Sequence, residues 1–167
     1  MKTFSCILGL SFLFLGQFAQ AQFDENGFKQ ALKVKKNAYL SEGSFSGGDG
    51  ANTDFHITQI RVAANPAGYD RVVIEVKPEN GRPPFYMVEN DPSNKRVQVT
   101  LYGQPKLDFS SQTAIQQARK TKHITKLEFV PLLGSDRFTM VIKTQAAVKT
   151  EVFELTQPSR IIIDLKP

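Results

Sequence analysis

From Asp54 onward, the chain alternates between short runs of β-branched, aliphatic and aromatic residues and clusters of turn-forming residues. This pattern is typical of an all-β domain, because Gly, Pro, Asn and Asp favour the backbone angles of tight turns. The runs predict eight strands: Phe55–Ala63, Arg71–Lys77, Phe85–Glu89, Arg96–Tyr102, His123–Val130, Arg137–Lys143, Val148–Leu155 and Arg160–Leu165. One short helix is predicted between the two groups of four strands, at Thr113–Lys120, with Ser110 or Ser111 as its N-cap.

The two groups of four predicted strands resemble each other in sequence. The motifs that recur are His56–Thr58 as His123–Thr125, Asp70-Arg71 as Asp136-Arg137, Pro92-Ser93 as Pro158-Ser159, and Arg96–Val99 as Arg160–Ile163. The step from histidine to the strand-opening arginine is 15 residues in the first half and 14 in the second. These offsets predict a duplicated four-strand unit. We expect each unit to form one sheet, and the two apolar faces to pack together as a β-sandwich.

The first 21 residues have the three parts of a secretory signal peptide. Lys2 supplies a positive start, Ile7–Phe18 is a dense apolar stretch, and Ala19–Ala21 is an A-x-A cleavage motif. We therefore expect export, with cleavage after Ala21 and no stable membrane span afterwards. An uncleaved N-terminal anchor is the alternative, although the apolar run is shorter than the roughly 20 residues that a span needs.

Residues 22–53 differ in composition from the rest and are predicted to precede the folded domain, residues 54–167. Phe23–Tyr39 has the pattern of a basic amphipathic helix, and Ser41–Gly50 is rich in Gly and Ser, as flexible linkers are. The simplest expectation is a mobile arm. The alternative is a segment that docks on a membrane or a partner.

Charge and cysteine content limit the classes of partner. The formal net charge is +5, and loss of Lys2 with the signal lowers it to +4. A basic chain suits an anionic polymer or surface, and export favours cell wall or anionic lipid over nucleic acid. A modest positive charge also simply keeps exported domains soluble. Cys6, the only cysteine, lies within the signal, so no disulfide, thiol nucleophile or cysteine metal site is expected.

The sequence carries no recognisable catalytic motif. It has two histidines, His56 and His123, which occupy equivalent positions of the two halves. It lacks the G-x-S-x-G nucleophile turn and the G-x-x-x-x-G-K phosphate loop. We therefore predict a protein that is not an enzyme and that needs no metal and no cofactor. An enzyme of unknown chemistry is an alternative.

Strand alternation places one set of arginines on the outward side of the predicted sandwich. Val72, Ile74 and Val76 share one face of their strand, so the arginine that opens the strand points the other way. The outward arginines are Arg71, Arg96, Arg137 and Arg160. They are candidate ligands for wall carboxylates, because guanidinium binds carboxylate through two parallel hydrogen bonds. The alternative is pairing with local carboxylates. The aromatic residues that could stack on sugar rings are Tyr69, Phe85, Tyr86 and Tyr102.

Several stretches resemble the AMIN domain. They are Arg71–Val76, Phe85–Val88, Asp91–Val99 and the closing Val152–Leu165 with its Pro-x-Arg, aliphatic and Asp-Leu order, together with Ile57–Arg61 as an Ile-x-x-Ile-Arg strand. The resemblance covers about Phe55 to Pro167, although the second half has Leu127-Glu128 in place of Ile-Arg. AMIN domains are periplasmic β-sandwiches found beside cell-wall amidases and in pilus secretins, and they are thought to bind peptidoglycan.

The resemblance implies a non-catalytic periplasmic module that binds peptidoglycan. The candidate binding residues are Arg61, Arg71, Tyr86, Arg96, Arg137 and Arg160. The alternative function is a protein–protein adaptor, an accessory subunit of a secretion or pilus-type envelope complex that docks through a sheet edge or the basic arm.

Overall fold

The computed structural model describes residues 38–79, 81–130 and 136–167, which form ten strands and one helix. The strands are β1 (Gly43–Gly47), β2 (Asp54–Asn65), β3 (Tyr69–Pro78), β4 (Tyr86–Asp91), β5 (Arg96–Tyr102), β6 (Gln104–Leu107), β7 (Ile124–Val130), β8 (Arg137–Thr144), β9 (Lys149–Thr156) and β10 (Ser159–Lys166). The helix α1 (Ser111–Ala118) lies between β6 and β7. The predicted signal peptide and residues 22–37 of the predicted arm lie outside the described residues.

The strands form two five-stranded sheets. Sheet I has the order β6-β2-β3-β10-β9, and sheet II has the order β1-β4-β5-β8-β7. Neighbouring strands are antiparallel except β2 and β6, which are parallel. The prediction of an all-β sandwich with one short helix is confirmed, and all eight predicted strands are present with ends within two residues of the expected positions.

The core lies between the sheets and is built by strand alternation. Val72 and Ile74 of sheet I and Val99 and Met140 of sheet II are each 0% exposed. Their strand neighbours point to the outer faces, as a period of two requires, and all of these neighbours except Thr100 are half-buried. Burial of such an aliphatic side chain contributes roughly 1.5–3 kcal/mol, so the inward rows account for much of the stability of the sandwich.

The two halves of the sequence do not form one sheet each, which corrects the expected arrangement. Sheet I joins hairpin β2–β3 to hairpin β9–β10, and sheet II joins β4–β5 to β7–β8. Each hairpin pairs with a hairpin from the other half through one central strand pair, which is β3–β10 in sheet I and β5–β8 in sheet II.

The exchanged arrangement is nevertheless the same in both sheets. When β2, β3, β4 and β5 are matched with β7, β8, β9 and β10, the order β2-β3-β10-β9 becomes β7-β8-β5-β4. Register shifts also occur at corresponding places, between Ile57 and Gln59 in β2 and between Ile124 and Lys126 in β7. The duplication stays a prediction, and this correspondence is what a duplicated unit would produce.

The helix packs over one end of the sandwich. Ser110 is its N-cap, and its hydroxyl accepts a hydrogen bond from the Thr113 backbone N–H at 3.2 Å. Ala114 and Ala118 form the buried side of the helix, which contacts β2 and β7. None of the described helices is long and apolar enough to cross a membrane.

The Gly/Ser-rich run is part of the sandwich, so the predicted flexible linker is wrong for Gly43–Gly47. This segment is strand β1, which pairs with β4 at the edge of sheet II, and its Phe45 packs against the core. A Cβ at Gly47 would lie 2.4 Å from Glu154 Oε1 and 2.6 Å from the Tyr86 hydroxyl. Glycine is required there by close packing, which sequence composition does not distinguish from flexibility.

Replacing Gly47 by alanine is therefore expected to lower the free energy of unfolding by about 1–3 kcal/mol, because the added methyl displaces buried polar groups. Gly50→Ala is the matched control, since a Cβ there has no neighbour within 4 Å. Urea unfolding of both variants measures the difference. Equal midpoints for the two variants would mean that β1 does not pack as described.

Candidate binding surface

The predicted binding arginines lie on opposite outer faces of the sandwich. Arg61, Arg71 and Arg160 belong to strands of sheet I, and Arg96 and Arg137 belong to strands of sheet II. They are separated because the strands of each half are divided between the two sheets. The five arginines therefore do not form one surface, and each face has to be judged by its own contacts.

Arg71 is held in a structural ion pair. Its Nε and Nη2 donate to Asp164 Oδ1 and Oδ2 at 2.6 and 2.8 Å, and the Asp164 side chain is 0% exposed. Its guanidinium carbon also lies 5.4 Å from the Tyr69 ring centre and 5.5 Å from that of Phe153. The hydrogen bond to Asp164 raises the pKa of Arg71 above its usual value. A ligand on Arg71 would have to break this bidentate pair.

Arg61 and Arg160 both lie near Glu75. The nitrogen–oxygen distances to Glu75 Oε2 are 3.6 Å from Arg61 Nη2 and 3.5 Å from Arg160 Nε. The three arginines of sheet I therefore contact carboxylates of their own sheet, which was the alternative explanation for the outward arginines.

Tyr86 is a core residue, and its predicted role as a surface contact is corrected. It is 3% exposed, and its hydroxyl donates to Glu154 Oε1 at 3.1 Å. Burial, followed by the charge of Glu154, raises the pKa of the Tyr86 hydroxyl above its usual range. The alternation of β4 carried the signal, because Tyr86 shares its parity with the buried Val88 and Asn90.

An aromatic–arginine cluster, consisting of Phe85, Tyr102 and Arg137, lies at one end of the outer face of sheet II. Tyr102 and Arg137 are register partners, and the Tyr102 backbone N–H donates to the Phe85 carbonyl at 2.9 Å. The two ring centres are 5.4 Å apart, and the Arg137 guanidinium carbon lies 5.8 Å from the Tyr102 ring centre. Phe85 is 40% exposed. The cluster presents apolar rings and a cation to solvent together.

Arg137 is paired more loosely than Arg71. Its Nε lies 3.4 Å from Oδ1 of the adjacent Asp136, and the two side chains are 53% and 78% exposed. An exposed pair of this kind contributes only about 0–1 kcal/mol. A ligand carboxylate that displaces Asp136 therefore loses little from this one pair.

The other end of the same face carries charges of both signs, because its cations lie beside the carboxylates of Asp91 and Glu128. Arg96 is the register partner of Lys143, which is in turn opposite Lys126, so three cations share this end. Arg96 Nε contacts Asp91 Oδ2 at 3.1 Å. Hydrogen bonds from Asn94, and more weakly the contact with Arg96, lower the pKa of the Asp91 carboxyl. Arg96 and Tyr102 are six residues apart on β5, so the two ends of the face are separated by about 20 Å.

The two histidines lie in different parts of the sandwich. His56 Nδ1 lies 2.5 Å from Asp108 Oδ2 at the surface of sheet I, whereas His123 directly precedes β7 in sheet II. Across residues 38–79, 81–130 and 136–167, no group of three His, Cys, Asp or Glu side chains is placed to hold a metal ion. Neither protein-family models nor curated proteins give a match to the chain.

Proposed function

We propose that this chain is a non-catalytic binding domain of the bacterial periplasm, that its ligand is peptidoglycan, and that the contact surface is the outer face of sheet II. The observation that supports this proposal is the aromatic–arginine cluster. Sugar rings stack on exposed aromatic side chains, and a guanidinium binds the carboxylates of wall peptides. Peptidoglycan carries both groups within a short distance of each other.

Sheet I is the weaker candidate because its arginines hold buried or shared carboxylates. Moving Arg71 onto a ligand would leave the charge of Asp164 buried without its partner, which is a large penalty. Displacing Asp136 from Arg137 leaves no buried charge, since Asp136 is well exposed. The difference in burial between the two carboxylates supports sheet II as the binding face.

The mechanism follows from the length of the face. A glycan strand that stacks at Phe85 and Tyr102 can extend along β5 toward the end at Arg96, about 20 Å away. The exposed cations at that end, which are partly offset by Asp91 and Glu128, attract the anionic polymer, and salt screens this attraction over roughly 10 Å at 0.1 M. Binding should therefore weaken as salt is raised, while the stacking contribution persists.

Co-sedimentation of the exported, processed protein with purified, protein-free sacculi tests the proposal. Arg137→Gln and Phe85→Ala are each expected to weaken binding about tenfold, which corresponds to about 1.4 kcal/mol. Arg61→Gln is the matched control, because this arginine is similarly exposed but lies on sheet I. No sedimentation at low salt, or an equal loss in the control, would contradict the proposal.

A protein–protein adaptor is the second candidate, and one observation favours it. Among the described strands, β7 has a single hydrogen-bonded neighbour, β8, and carries the exposed Val130 at its end. An open edge of this kind can accept a strand from a partner. An adaptor would not sediment with protein-free sacculi. Muropeptide release by the purified protein would instead indicate an enzyme.

A further inference from the structure

Part of the outer face of sheet I is as buried as the core. Ile162 and Phe153 point away from the sandwich interior, yet they are 4% and 8% exposed, and the outward Asp164 is 0% exposed. On the outer face of sheet II, the small side chain of Thr100 is also buried, at 5% exposed, but the neighbouring Gln98 and Val141 are only half-buried. Outward side chains of a two-layer sandwich normally face water, so this part of sheet I is a covered surface.

The described chain begins at this covered surface. The Ala38 backbone N–H donates to Glu151 Oε1 at 3.2 Å, and Glu151 is the register partner of Asp164 on the outward side. The Tyr39 ring centre lies 5.6 Å from Lys166 Nζ at the end of β10. Leu40 then pairs with Thr150 through two backbone hydrogen bonds of 2.9 and 2.8 Å. Ala38 therefore lies at the β9 edge of sheet I, within hydrogen-bonding distance of the outward Glu151.

The composition of the preceding residues complements this surface. Within 22–37, the cations Lys29, Lys33, Lys35 and Lys36 alternate with the apolar Phe28, Ala31, Leu32 and Val34. The surface offers the carboxylate of Glu151 beside the apolar side chains of Phe153 and Ile162, while Asp164 is paired with Arg71. The segment therefore supplies apolar side chains and cations, and the surface supplies apolar side chains and a carboxylate.

We propose that residues 22–37 of the same chain dock across the outer face of sheet I, over β9 and β10, as a third layer. Sixteen residues extend about 24 Å even as a helix, which exceeds the roughly 10 Å between β9 and β3. The layer gives the basic segment an intramolecular partner in place of a membrane or another protein. It also leaves sheet II as the open face, although the docking does not depend on what sheet II binds.

Thiol labelling tests the docking directly. In a Cys6→Ser background, Ile162→Cys places one reporter thiol on the covered surface, and Val141→Cys places the matched reporter on sheet II. Combining each reporter with Leu32→Asp and Val34→Asp removes the apolar contacts of the segment. We expect the labelling rate at position 162 to rise at least about tenfold, because protection follows the docking equilibrium, and the rate at position 141 to stay unchanged.

A second measurement covers the case in which Ile162→Cys perturbs folding. With no reporter present, Leu32→Asp and Val34→Asp should shift the amide NMR signals of β9 and β10 and leave those of β5 and β8 in place. Equal labelling at position 162 with and without the segment substitutions, or unshifted β9 and β10 signals, would overturn the proposal. Protection that disappears on dilution would also overturn it, because docking would then occur between molecules.

Discussion

Replacing Asp70 by alanine is expected to destabilise the protein by about 2–4 kcal/mol, because a fully buried acceptor of three hydrogen bonds is lost. The Asp70 carboxylate accepts the backbone N–H groups of Lys122, His123 and Ile124 at 3.2, 2.6 and 3.2 Å. Hydrogen bonds to an ionised acceptor are stronger than neutral ones, and the three donors would be left without a partner. Urea unfolding followed by circular dichroism measures the change.

The second half of the chain provides the matched control. Asp136 corresponds to Asp70 in the predicted repeat, but its side chain is 78% exposed beside Arg137. Asp136→Ala should therefore change stability by no more than about 0.5 kcal/mol. If the two alanine variants unfold at the same urea concentration, the anchoring role of Asp70 is refuted.

Replacing Arg71 by methionine is expected to destabilise the protein by about 3–5 kcal/mol, because the buried Asp164 charge loses its partner. Methionine keeps most of the apolar length that lies near Tyr69 and Phe153, so the loss reports on the ion pair and not on packing. The double variant Arg71→Met, Asp164→Leu should recover a large part of the lost stability, since both members of the pair are then absent.

Arg96→Met is the control for Arg71, because Arg96 is paired with the better exposed Asp91. Its unfolding midpoint should stay close to that of the unsubstituted protein. A similar midpoint for Arg71→Met and Arg96→Met would mean that Arg71 is available to a ligand, and sheet I would again be a candidate face.

Side-chain periodicity predicted eight of the ten described strands. It missed β1 and β6, which pair mainly through backbone hydrogen bonds. The predicted Arg96–Tyr102 is β5 with the same ends, since alternating apolar residues identify a half-buried strand. β6 is four residues long and pairs in parallel with β2, and β1 contains glycine and serine. In β1, the side chains carry almost no pattern, and its place is determined by β4, which lies far away in the sequence.

The sequence predicted the face of the strand on which each candidate arginine lies, but not the carboxylate that each arginine contacts. Alternation placed Arg71 and Arg137 outward, and both do point outward. Whether an arginine faces a buried or an exposed carboxylate depends on which strands become neighbours. Arg71 and Asp164 are 93 residues apart in sequence, and no local pattern relates them. The strand exchange that joins β3 to β10 is the long-range information that was missing.

That exchange has a consequence for the order of events during synthesis. While only the first half has emerged from the ribosome, β3 and β5 each have a partner on one side and an open edge on the other. Neither sheet can be completed until β8 and β10 have been made, and pairings over such sequence distances form slowly. We therefore expect the nascent chain to reach its folded state only after β10 has been synthesised.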